Sequence, residues 1–224
     1  MGHDIKLTAS DNFQLGGYRA DPAGGAKGAL VVIQEIFGVN HHIRNVCDRY
    51  AGEGYVAIAP AIFDRIEPNF QSGYSPGEVA VARKFVAHPD WEAMLRDVQA
   101  AIDSVKDVGP VGIVGFCLGG SVAFVAATKL SGLRAAVGYY GGAIARFADD
   151  KPKVPTLLHF GEKDAGIPLS DVDSIRTRRP ELEIHVYPGA QHGFACDERA
   201  SYDKASADLA AQRTLAFFAK HLTV

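Results

Sequence analysis

Sulfur is scarce in this chain of 224 residues, which has three cysteines and two methionines. An odd number of thiols, with neither disulfide-framework nor zinc-ligand spacing, excludes a stapled scaffold and suits a reducing compartment. Surplus charge is also lacking: 23 Lys and Arg stand against 26 Asp and Glu, a formal net charge of −3. With no basic run and no aromatic-interleaved patch, there is no electrostatic case for nucleic acid as a partner. The opening residues, Met1-Gly2-His3-Asp4-Ile5-Lys6, show no basic segment, long apolar run or small-residue cleavage site, so a cytoplasmic location is expected. One stretch, Val108 to Thr128, carries no charge and superficially suggests a membrane helix. Pro110 and glycines at 109, 112, 115, 119 and 120 argue against a continuous helix, and no membrane contact is expected.

What is present is core. Residues of hydrophobic type make up 47% of the chain, enough for one compact α/β domain over residues 1–224. His3 to Ala9 and Phe13 to Arg19 read as a hairpin about Asp11-Asn12. Ala29 to Ile33, Tyr55 to Pro60, Arg134 to Gly141, Pro155 to Gly161 and Leu182 to Tyr187 read as further strands, several of them with the continuous apolar character of strands buried on both faces. Between them Ile43, Val46, Cys47 and Tyr50 form a helical stripe that places Cys47 in the core. Glu78 to Ala87 and Asp90 to Lys106 are helical, the second with Trp91 on its apolar face. A last helix aligns Ala207, Ala211, Leu215, Phe218 and Leu222. Strands alternating with helices predict a mostly parallel sheet covered on both sides. The Pro- and Gly-punctuated stretch from Glu67 to Gly77 reads as a surface excursion suited to a substrate lid.

The chain turns on Gly115-Phe116-Cys117-Leu118-Gly119-Gly120. A buried strand, a glycine-flanked turn and a buried helix have the shape of a nucleophile elbow with cysteine at its apex. The following helix aims the positive end of its dipole at the thiol, favouring the reactive thiolate. The N–H of Leu118 supplies half of an oxyanion hole. In this architecture an acid and a histidine follow in that order. Asp164 lies just past one buried strand, and His192 lies in the loop after the next. Cys117 is thus the expected nucleophile, His192 the base, and Asp164 the group that holds the imidazole. His41 and His42, adjacent on a helix, cannot face one metal, and His3, His88, His159, His185 and His221 show no ligand spacing.

The elbow, together with Gln34-Glu35-Ile36-Phe37-Gly38, Gly138-Tyr139-Tyr140-Gly141 and Gln191-His192-Gly193-Phe194, resembles the dienelactone hydrolase family of α/β-hydrolases. The resemblance spans nearly the whole chain. It implies a three-layer α/β/α fold and cofactor-free hydrolysis of a small-molecule lactone or ester by a monomer or homodimer. By position, Cys117, Asp164 and His192 match the family triad, and the amides of Leu118 and Ile36 match its oxyanion hole. Glu35 matches a carboxylate that contacts the nucleophile, its other reading being a helix cap. Arg65 matches an arginine that holds the substrate carboxylate, its other reading being a surface arginine. Tyr139 lines the pocket or packs in the core. Four residues past His192, where dienelactone-specific members place a second arginine, this chain has Cys196. Arg199 is near, and both neutral and anionic lactones or esters stay open as substrates. Two other readings stand beside hydrolysis at carbon: attack on an activated phosphotriester by the same groups, and a thiol redox or ligand-binding protein on the same fold.

Overall fold

The computed structural model describes residues 2–223. Eight strands occur in the order β1 (His3–Thr8), β2 (Gln14–Ala20), β3 (Ala29–Ile33), β4 (Val56–Pro60), β5 (Val111–Phe116), β6 (Leu133–Tyr139), β7 (Thr156–Gly161) and β8 (Glu183–Tyr187). They form one sheet with spatial order β1-β2-β4-β3-β5-β6-β7-β8. β1, β2 and β4 pair antiparallel, and β4, β3 and the strands from β5 to β8 pair parallel. Every residue of β3, β4, β5 and β7 is buried. That is the physical meaning of the uninterrupted apolar runs of β3, β4 and β5, because helices cover both faces of a parallel sheet.

The helices are α1 (His41–Gly52), α2 (Pro76–Lys84), α3 (Trp91–Val105), α4 (Leu118–Lys129), α5 (Ile144–Phe147), α6 (Leu169–Arg178) and α7 (Lys204–His221). α1 and α7 meet through the rings of Tyr50 and Phe218. α3, α4, α5 and α6 touch in series along the sheet. Side chains set where several helices start: Asn40 caps α1, Asp90 caps α3, Asp203 caps α7, and Ser75 with Glu78 forms a reciprocal capping box on α2. Each such cap satisfies an amide that the helix itself leaves unpaired.

Three expectations need correction. α6 has no counterpart in the sequence reading, because only Val172 and Ile175 of its ten residues are buried and the apolar period is too sparse. α7 buries Ala207, Ala210, Thr214, Phe217 and Phe218, whereas Ala211 is exposed. Of the expected stripe Ala207, Phe218 and Leu222 are buried and Leu215 packs against the core, and the buried face also takes in Thr214, whose hydroxyl meets Tyr139 Oη at 2.6 Å and His159 Nε2 at 3.0 Å. Trp91 is only partly buried and lies edge-on to Phe147 with ring centroids 4.9 Å apart. The 67–77 excursion is largely exposed as expected, yet it is anchored by a bridge between Gly38 and Gln71. It already contains the start of α2.

Candidate active site

Parallel pairing brings the carboxyl ends of β3, β5, β6, β7 and β8 to one edge of the sheet, where open α/β sheets hold ligands. At the end of β5 the backbone turns sharply at Cys117, with φ 56° and ψ −116°. Such a conformation costs about 1–3 kcal/mol for a residue with a side chain and persists only where its surroundings impose it. The imposing contacts are backbone. Cys117 N donates to Tyr139 O at 3.0 Å. A Cβ on Gly115 would lie 1.9 Å from Gly119 O, and one on Gly119 would lie 2.3 Å from Ile33 O. Only glycine permits strand, turn and helix to approach this closely. Cys117 is partly exposed, next to the first turn of α4, whose leading amides have no partner within the helix.

The loops after β7 and β8 are tied together. Glu162 N donates to Tyr187 O, and Lys163 N donates to Ala190 O. The result places Asp164 and His192 in contact: His192 Nδ1 donates to Asp164 Oδ2 at 2.7 Å. Asp164 has a fully buried side chain, and its other oxygen accepts from Gly166 N at 2.8 Å. Burial alone would lower the His192 pKa, but a negative charge on Cys117, the Asp164 bond and a hydrogen bond to the Cys117 sulfur outweigh it. Together they raise the imidazole to about 10. The ring is thus held to the Asp164 carboxylate, with Cys117 near enough to raise its proton affinity.

Glu35 and Arg199 complete the surroundings. Glu35, from the loop after β3, is 1% exposed, and its Oε1 accepts from Arg199 Nη1 at 3.0 Å. The Arg199 guanidinium lies over the rings of Phe37 and Tyr74, and Cys117 and Glu35 both stabilise its charge. It fits there because Gly193 has no side chain: a Cβ at that position would meet the guanidinium at 2.5 Å. Tyr74, from the excursion, places its hydroxyl 3.5 Å from Glu35 Oε2 and accepts from Asn40 Nδ2 at 3.1 Å.

Two residues expected at the substrate have their polar groups engaged within the fold. Arg65 spends its donors elsewhere: Nε and Nη2 bond Asp97, Nη1 and Nη2 bond Asp11, and its plane covers Phe13. Asp97 is fully buried and needs that cation, which is why Arg65 is committed to it. Tyr139 is core, 3% exposed and bonded to Thr214. Its neighbour Tyr140 is the tyrosine of the site. With φ 38° it leaves the strand alternation, holds its ring tilted with its centroid 5.1 Å from that of His192, and buries a hydroxyl that lacks a partner among the described residues. The Gly-Tyr-Tyr-Gly sequence contains both candidates, and only the backbone twist distinguishes them. Tyr74 went unnoticed because nothing local marks a loop tyrosine. His159, buried between Thr214 and Tyr187 Oη, is held well below the usual imidazole range by burial and serves as packing.

Comparison with known proteins identifies the family. The profile of the dienelactone hydrolase family matches residues 15–222. The carboxymethylenebutenolidase of Pseudomonas putida is 33% identical over 227 residues, covering 96% of this chain and 95% of its own. A Synechocystis protein provisionally named carboxymethylenebutenolidase is 38% identical over 246 residues, covering 99% of this chain and all of its own. The crystal structure of a provisionally named dienelactone hydrolase from Klebsiella pneumoniae superposes with a TM-score of 0.85 at 31% identity, covering 98% of this chain and 99% of that one. With an eight-stranded α/β-hydrolase sheet and relatives aligned end to end, the chain belongs to the dienelactone hydrolase family, hydrolases that act on lactones and esters.

Proposed function

We propose that the chain hydrolyses a small lactone or carboxylic ester through a thioester at Cys117, with His192 and Asp164 as its acid–base pair. The supporting observation is the 2.7 Å bond from His192 to Asp164 on an imidazole whose proton affinity Cys117 raises. An imidazolium beside a thiolate is a cysteine ready to attack. The sulfur adds to the carbonyl carbon, and the amides of Leu118 and Ile36 take the developing oxyanion. As the C–O bond breaks, His192 gives its proton to the leaving oxygen, which in a lactone stays attached to the acyl chain. Neutral His192 then takes a proton from water, and the resulting hydroxide adds to the thioester. The tetrahedral intermediate expels the thiolate and releases the acid. Asp164 fixes the tautomer and offsets the imidazolium charge.

Arg199 is the guanidinium beside the nucleophile, and Glu35 already offsets its charge. Acceptance of an anionic lactone therefore hinges on one partly neutralised cation, and neutral esters or lactones fit equally well. The test is turnover of cis-dienelactone and p-nitrophenyl acetate by wild type and Cys117→Ala. Loss of both activities with the fold intact is expected, and unchanged turnover in the variant defeats the mechanism. A matched phosphotriester and a peroxide arm under reducing conditions probe the two rival readings. Equal rates at phosphorus and carbon, or an oxidised Cys117 without esterase turnover, would favour one of them instead.

A further inference from the structure

A second group of side chains converges from three segments, two of them close in the chain and one far along it. Glu35 comes from the loop after β3, His42 from the first turn of α1, and Cys196 from the loop past His192. Each offers one donor atom, and these atoms lie within 4.8 Å of one another. All three residues are buried, with exposures of 1%, 0% and 0%. His42 Nδ1 contacts Asp197 Oδ1 at 3.1 Å. The other ring nitrogen, Nε2, is buried and has no hydrogen-bond partner among the described residues. A buried polar atom left unpaired calls for an explanation, and an ion is one of the few available.

The donor set specifies which ion. Thiolate sulfur, imidazole nitrogen and carboxylate oxygen are the ligands of zinc, whereas magnesium and calcium select oxygen alone. Zinc–ligand bonds of about 2.0–2.3 Å in a tetrahedron hold two donors roughly 3.3–3.8 Å apart. The cluster already approaches that spacing. Glu35 can coordinate through Oε2 while Oε1 keeps Arg199. The pairing of His42 with Asp197 is the outer carboxylate contact that fixes a metal-binding imidazole. The Tyr74 hydroxyl, near Glu35 Oε2, or a water can take the fourth position. His41 points elsewhere, to Glu198 Oε1 at 2.6 Å. Adjacent histidines thus have separate roles, and sequence spacing concealed the one that faces inward.

We propose that Glu35, His42 and Cys196 bind Zn²⁺, with Asp197 orienting His42. Binding exchanges the S–H bond of Cys196 for a Zn–S bond and releases one proton to solvent for each ion bound. The site stands whether or not Cys117 is the nucleophile, although it shares Glu35 with the pocket.

The experiment uses the Cys117→Ser protein, which removes the other thiol beside an imidazole. Titration with Zn²⁺ should show one site at micromolar concentration by calorimetry, and Cd²⁺ should produce a thiolate-to-metal charge-transfer band. Adding Cys196→Ser should abolish the band. Adding Asp197→Asn should weaken zinc by about 10–100-fold, and His42→Gln by more. A band that survives Cys196→Ser, or no zinc binding by the Cys117→Ser protein at these concentrations, overturns the proposal. If Cys196→Ser does not fold, His42→Gln decides: unchanged affinity in folded protein overturns it as well.

Discussion

Arg199→Ala tests whether Glu35 and Arg199 act as a buried ion pair. The Glu35 carboxylate is 1% exposed, and the Arg199 side chain retains 22% exposure. Removing one partner of a buried pair costs about 3–5 kcal/mol, because the other charge is left without solvent or partner. Here water can follow the deleted side chain in from its exposed side, so the lower part of the range, about 3 kcal/mol, applies. For a chain of this size each kcal/mol shifts the midpoint by about 2–4 °C, giving a fall of roughly 6–12 °C. Urea unfolding and thermal melts of wild type, Arg199→Ala, Glu35→Gln and the double variant form a complete cycle. The double variant should be more stable than Arg199→Ala alone, because no charge is stranded. A midpoint for Arg199→Ala within 2 °C of wild type by the same scale, or a double variant no better than the single, would refute the buried-pair reading.

The remaining predictions concern the elbow and its imidazole. With a folded pKa of about 10 above the ordinary 6.5, the charged His192 contributes stability that is full below about 6.5 and lost as pH rises through about 10. The alkaline limb of kcat/KM should therefore centre near 10 and move to lower pH in Asp164→Asn, and a wild-type limb near 6.5 would contradict the thiolate–imidazolium pair. Gly119→Ala places a Cβ 2.3 Å from Ile33 O, so the turn must move. A displacement of about 1 Å costs on the order of 100-fold in rate. Steady-state turnover should fall by that order, and full activity would show that the tight approach is dispensable.

Much of this site is local in sequence. The glycines around Cys117 are legible because the turn excludes any Cβ whatever the rest of the chain does. The runs 29–33 and 111–116 are legible because burial on both faces of a parallel sheet leaves no polar position. The order Cys117, Asp164, His192 follows from strand order, since each loop opens at the same edge.

Side chains that choose partners across the fold could not be read this way. Arg65 and Arg199 look alike in sequence; one is captured by the buried carboxylate of Asp97, the other by that of Glu35, and a long flexible cation goes to whichever buried anion would otherwise be unpaired. Tyr139 and Tyr140 were separated by a single positive φ, and Thr214 was drawn inward by a histidine and a tyrosine far from it in the chain. Glu35 and His42 are near neighbours in the chain, but Cys196 joins them only through the fold. Backbone constraints repeat over a few residues and leave a pattern; charge pairing and ligand convergence act through space, and only the folded chain decides them.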